Sequence, residues 1–173
     1  MSYSAPNRLL MPARHSIDTL HDSWLPPLEV QTATAWGTAN RAIYVPLCVP
    51  SSVVVRKLWV GTGTITTNVD MALYDASGVA VISGTAGTVS SSTEAVFDVT
   101  DTTIGPGLYY IAVVSDSATD TILAINAATP ILTAMGVLTE ASAYPLPATA
   151  TFAISHTLAF VPVAGILLEA TAA

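Results

Sequence analysis

From Thr32 onward the chain is written in short runs of Val, Ile, Leu, Thr and Tyr, each cut off by Gly, Pro, Asn or Asp. Helical periodicity is almost absent, so the runs read as strands and the punctuation as turns. Arg41–Val49 and Ser52–Val60 are expected strands parted by Pro50. In the next run Val69, Met71 and Leu73 alternate with Asp70, Ala72 and Tyr74, which predicts one core face and one outward face. Asp75-Ala76-Ser77-Gly78 is a hairpin turn, and Val79–Ile82 returns from it. Glu94–Val99 is a further strand, with Val96, Phe97 and Val99 sharing the packing. Gly105-Pro106-Gly107 turns the chain into Leu108–Val114, whose near-continuous apolar character predicts burial on both faces. Thr121–Ile125 is expected to pair with that strand across the polar Ser115–Asp120 loop. Thr129–Leu138 reads as a short helix or an irregular crossover, and Thr149–Phe152 and Leu158–Leu168 close the chain. Roughly nine or ten short strands of this kind predict an all-β fold, an antiparallel β-sandwich of jelly-roll type.

An internal echo bears on closure. Thr32-Ala33-Thr34-Ala35-Trp36 with Tyr44-Val45-Pro46-Leu47 matches Ala148-Thr149-Ala150-Thr151-Phe152 with Phe160-Val161-Pro162-Val163. It predicts two equivalent strand–turn–strand units, one opening and one closing the sandwich, against chance similarity in an Ala/Thr/Val-rich chain.

Residues 1–30 differ from the domain expected over residues 31–173. They hold Pro6, Pro12, Pro26 and Pro27 and show no strand-like alternation. One short helix fits between His15 and Trp24, with Ser16 at its N-cap and Asp18 in its first turn. The segment is too apolar for a solvated tail. Arg8, Leu9, Leu10, Met11, Arg14, Leu20, Trp24 and Leu25 are the candidate residues of a docking arm that lies on its own body or on a neighbour.

Charge is divided along the same line. All five basic residues fall within the first 57, against three carboxylates, while the remaining 116 residues carry nine carboxylates and no Lys or Arg. A mildly basic leader suits an acidic partner, whereas an acidic body repels nucleic acid and anionic membranes. Charged residues make up 10% of the chain, against roughly 25% in a typical domain, so some apolar surface is expected to be buried in an oligomer. The longest uncharged run, Ala141–Leu168, contains three prolines and His156 and alternates polar with apolar, so no membrane insertion is expected. Met1–Leu20 lacks a continuous apolar stretch, so neither is a secretory signal.

No nucleophile–base, phosphate-loop or metal-ligand spacing occurs, so no catalytic, cofactor-binding or metal residue is assigned and no cofactor is expected. His15, His21 and His156 are scattered. Asp98/Asp101 and Asp116/Asp120 sit at strand ends, where Asp caps turns; a Ca²⁺ site would need about 6–8 oxygen ligands. Cys48, the single cysteine, lies in the apolar run Tyr44–Val49 and is expected in the core, as is Trp59. Trp36 stands before a Gly-Thr-Ala-Asn turn and is the candidate loop-tip aromatic of a sugar site. Tyr109 and Tyr110 are adjacent in a strand and must point to opposite faces.

The run Val69–Gly78, the Gly105-Pro106-Gly107 turn with Leu108-Tyr109-Tyr110-Ile111-Ala112, and Ala143–Phe152 together resemble the β-sandwich modules of tailed-bacteriophage virion proteins, over roughly residues 32–170. The resemblance implies a non-enzymatic structural protein on the virion exterior: a capsid decoration, a head or tail fibre, or a spike. Its arm would dock on other virion proteins of the capsid or tail. It also implies a homo-oligomer, a trimer by preference. The alternative is a glycan-binding adhesin that attaches the virion to a host-surface glycan.

Overall fold

A computed structural model describes residues 19–20, 32–84, 87–88, 94–154 and 157–168. In chain order its strands are β1 Thr19–Leu20, β2 Thr32–Ala35, β3 Ala42–Val49, β4 Val53–Val60, β5 Asn68–Asp75, β6 Ala80–Ser83 and β7 Gly87–Thr88. They continue as β8 Ala95–Ile104, β9 Gly107–Ser115 and β10 Thr121–Asn126, then the helix α1 Thr129–Ala134. The last are β11 Leu138–Glu140, β12 Ala153–Ile154, β13 Phe160–Pro162 and β14 Ala164–Leu168. Every pairing among them is antiparallel, and the expected all-β class is what the protein has.

Three sheets make two layers. One layer is a single sheet in the order β12-β11-β3-β9-β5-β6, with β7 also beside β5. The other joins the order β1-β14-β4-β8 to the order β13-β10-β2. The joint is a ring of three backbone bonds: Gly61 N–H to Val163 C=O at 2.8 Å, Val163 N–H to Leu123 C=O at 3.0 Å, and Leu123 N–H to Gly61 C=O at 2.9 Å. A Cβ on Gly61 would lie 2.9 Å from Leu123 Cβ, so only glycine lets the strands meet there. Because β4 runs on into this joint and β13 runs through Val163 into β14, the two smaller sheets form one bent layer.

Strand parity sorts the core. Ile43, Val45, Leu47, Val69, Met71, Leu73, Ile111 and Val113 all point inward from the first layer. They meet Val55, Leu58, Val60, Phe97, Ile122, Ala124, Phe160, Val161 and Ile166 from the second. The even positions of the same strands, Ala42, Tyr44, Ala72, Tyr74, Ala112 and Val114, are buried as well, in a separate cluster with Ala143. The outward face expected for Asp70, Ala72 and Tyr74 is therefore not solvated. Segment 141–152 lies across it and buries it.

Several sequence expectations meet their structure here. The 75–78 hairpin turn is present: Gly78 takes φ +87° and Asp75 Oδ1 accepts from Ser77 N–H, Ser77 Oγ–H and Val79 N–H. The helix expected within Thr129–Leu138 is α1, with Pro130 in its first turn. Trp59 is buried, and Tyr109 and Tyr110 do face opposite ways, one against the main core and one in the outer cluster. The burial expected along Leu108–Val114 holds from Ile111 onward, but Leu108 is 42% exposed.

Other expectations are corrected. Thr121–Ile125 pairs with β2 and β13 and not with Leu108–Val114, because the Ser115–Asp120 loop carries the chain across to the other layer. The strand expected at Glu94–Val99 runs on to Ile104, and Val96 faces out at 47% exposure while Ala95 and Phe97 pack inward. Cys48 is exposed, because its even position falls beyond the end of the covering segment. Trp36 is 2% exposed and no loop-tip residue: its Nε1–H donates to Arg41 C=O at 3.1 Å and its ring meets Phe160 edge-on at 6.0 Å. The echo has no structural counterpart, since Thr32–Ala35 is a strand beside β10 whereas Ala148–Thr151 lies in the covering segment outside any strand.

Candidate functional site

Of the eight docking candidates, Arg8, Leu9, Leu10, Met11, Arg14, Trp24 and Leu25 lie outside the described residues, as do His15, His21 and His156. Leu20 is described by its backbone. It pairs with Ile166, and Thr19 with Leu167, so β1 adds a two-residue rung to the edge of β14. The helix expected between His15 and Trp24 is thus replaced by extended backbone at Thr19 and Leu20. A sheet edge presents N–H and C=O groups that a passing segment satisfies by adding a strand, as β1 does along β14.

The face beside this edge is built from β14, β4 and β8. Trp59 projects away from the main core, opposite Gly165, and is 5% exposed. A Cβ on Gly165 would stand 2.5 Å from Trp59 Nε1 and 2.8 Å from Cε2, so the bare glycine makes room for the indole. Further along the same face Arg56 meets Asp101 at 3.3 Å and Lys57 meets Asp98 at 3.9 Å. All four side chains are about half exposed or more, so such pairs contribute at most ~1 kcal/mol each. The two cations at the start of the acidic stretch are therefore engaged by carboxylates of their own sheet.

Four of the other described acids fall into two groups. Asp120 is buried and accepts from Thr66 N–H at 2.9 Å, Thr66 Oγ1 at 2.9 Å, Thr67 Oγ1 at 2.6 Å and Ser115 Oγ at 3.1 Å. Asp116 accepts from Asn68 N–H at 2.9 Å and Asn68 Nδ2 at 2.8 Å. Burial opposes ionisation of both, but these donors outweigh it, and both titrate below the ordinary carboxylate range. They fasten the loop before β5 to the loop after β9, as strand-end Asp residues do. Among the described residues no group of three or more His, Cys, Asp or Glu side chains is placed to hold a metal ion.

Asp70, Tyr44, Tyr74 and Glu140 form the second group, under segment 141–152. Asp70 accepts Met71 N–H at 2.8 Å and Leu146 N–H at 2.9 Å; burial nevertheless pushes its carboxyl above the ordinary range. Tyr44 O–H donates to Glu140 at 2.6 Å and Tyr74 O–H to Pro147 C=O at 2.5 Å, and burial raises both phenols further. Phe152 closes the cluster against Tyr44 at 5.0 Å and Tyr110 at 4.9 Å. The Leu146–Asp70 and Tyr74–Pro147 bonds tie the covering segment to the sheet. Sequence reading missed this cluster. Its only signal is the pair Tyr44 and Tyr74 at even positions in two strand runs, of which only the second reads as half-solvated.

The two described tryptophans, Trp36 and Trp59, are both buried, which takes the loop-tip aromatic from the sugar-site reading. Compared with family models, with curated proteins and with solved structures, the chain finds no match in any of the three.

Proposed function

We propose that this chain is a non-enzymatic structural component of a tailed-phage virion. Its N-terminal residues dock it on other virion proteins, and its acidic sandwich, of jelly-roll type, faces outward as a capsid decoration, fibre or spike. The observation that carries this reading is where the N-terminal segment joins the sandwich. Thr19 and Leu20 extend the rim of a sheet, so Arg8, Leu9, Leu10, Met11 and Arg14 precede a strand at that edge, which on this reading is the one turned to the particle. Apolar residues there gain about 1.5–3 kcal/mol for each large side chain fully buried on a partner, enough to offset the ordering of the segment. Arg8 and Arg14 set the register against carboxylates of the docking surface more than they set its strength.

The body supports the same role. Carboxylates and tyrosines in it are spent on holding loops to sheets, as at Asp70, Asp116 and Asp120. A shell component needs such rigidity. The direct test is to raise antibodies against the sandwich and apply them to intact purified particles. Decoration of the particle exterior at regular positions is the expected result; particles that bind none, and contain none of the chain by mass spectrometry, would sink the reading.

A further inference from the structure

Segment 141–152 lies as a strap across the outer face of the larger sheet. Backbone bonds hold it toward its ends: Ala143 N–H donates to Asn40 C=O at 2.7 Å, Ala150 N–H to Gly78 C=O at 2.8 Å, and Ala80 N–H to Ala148 C=O at 2.9 Å. Its middle is held by two side chains of β5, where Asp70 accepts from Leu146 N–H and Tyr74 donates to Pro147 C=O. Asp70 is 5% exposed, and its other hydrogen bond comes from Met71 N–H. The titratable groups packed around it are Tyr74 on its own strand, Tyr44 on β3, Tyr110 on β9, Asp116 in the loop after β9, Glu140 on β11 and Tyr144 in the strap. None of these is a cation. Arg41, one residue before the Ala42–Val114–Asp70 row, forms no ion pair among the described residues, and Arg56 and Lys57 form theirs on the opposite layer.

We infer that Asp70 makes segment 141–152 a pH-sensitive strap, closed over the outer tyrosine face while Asp70 is protonated and released from it, with the rest of the sandwich still folded, as Asp70 ionises. A buried carboxylate with no cation beside it costs free energy that its neutral form avoids. Burial accordingly raises this carboxyl above the ordinary range, against the pull of its two N–H donors. Lifting the strap returns water to Asp70. The main core packs on the other side of the sheet and does not include Asp70, so that opening leaves it intact. With the strap open, Asp70 is hydrated and holds its proton as an ordinary carboxyl does; with the strap closed it holds the proton more tightly. Closure therefore weakens as pH rises through the interval between the two values, and the opening equilibrium grows by up to about tenfold per pH unit there. Opening bares the rings of Tyr44, Tyr74, Tyr110 and Phe152.

The inference stands apart from the virion reading and is tested on the full-length protein alone. Amide hydrogen exchange is followed by NMR from about pH 4 to 8, with rates corrected for the intrinsic pH dependence of exchange, and the strap amides of Ala143, Leu146 and Ala150 are compared with those of the β3–β9 ladder. The expected result is that opening of the strap amides rises by about tenfold per pH unit over part of this range while the ladder amides keep their protection. Asp70→Asn, which keeps the shape without the charge, should abolish that rise. Tyr74→Phe removes the neighbouring strap bond and should raise opening by one factor at every pH, leaving the rise in place. Glu140→Gln should also leave it, since that carboxylate has the Tyr44 hydroxyl as its donor. Should Asp70→Asn fail to fold, the wild type with the Tyr74 and Glu140 variants still decides. Strap opening that is independent of pH in the wild type overturns the inference. So does a rise that persists in Asp70→Asn, that vanishes in Glu140→Gln, or that the ladder amides share.

Discussion

Two buried carboxylates on this scaffold are shifted in opposite directions: Asp120 titrates below the ordinary range and Asp70 above it. Asp120 is held ionised by donors from Thr66, Thr67 and Ser115, and its carboxyl titrates below its unfolded value. Its contribution is present above the unfolded carboxylate pKa and is lost as pH falls through the lower folded value. Asp70 is raised by burial, so its contribution is present below the unfolded value and is lost as pH rises through the higher folded one. Urea unfolding from pH 3 to 7 should therefore separate two variants. Relative to Asp120→Asn, the wild type loses its advantage toward the acid end; relative to Asp70→Asn, it loses it toward neutral pH. Equal slopes would mean that the two environments have been misread. Asp120→Ala should cost about 3 kcal/mol at neutral pH, since several buried donors lose their acceptor together.

Residue-level reading of the sequence succeeded where parity alone decides, as at Tyr109 and Tyr110. It failed where burial depends on a distant segment. Tyr44 and Cys48 share one strand and one face, yet the first is buried and the second exposed, because segment 141–152 ends between them. No local pattern records that boundary.

Among elements, the strands were legible because β-branched runs and Gly/Pro punctuation coincide, whereas Thr129–Leu138 reads equally as a helix or a crossover and only the structure gives α1. Pairing was not. β10 follows β9 in sequence but joins the other layer, since Asp116 and Asp120 bind the 66–68 loop and turn the chain away. β8 ran longer than expected because its second half, Thr100–Thr103, is polar and lies at an edge. The β4–β14 ladder offers the sharpest test at this scale. Its close approach depends on Gly165 beneath the Trp59 ring, so Gly165→Ala should destabilise the protein by about 1–3 kcal/mol in thermal or urea unfolding. An unchanged midpoint would show that the indole can move aside at no cost.

For the whole molecule, composition predicts a chain with neighbours, and the fold shows where its N-terminal segment joins the sandwich, at the rim of β14. Sequence alone could nominate the arm from its apolar and basic residues but not the edge of β14 that Thr19 and Leu20 join. The claim that everything else serves is that the N-terminal residues attach the sandwich to a particle. Deleting residues 1–18 removes Arg8, Leu9, Leu10, Met11 and Arg14 and spares the β1 rung. Each purified variant, checked for fold by circular dichroism, is added to particles assembled without this protein, and bound copies are counted. The account predicts full occupancy by the wild type, almost none by the truncated chain, and a larger loss from Trp24→Ala than from Arg14→Ala, because a desolvated aromatic outweighs a rim charge. Full occupancy by the truncated chain would contradict it.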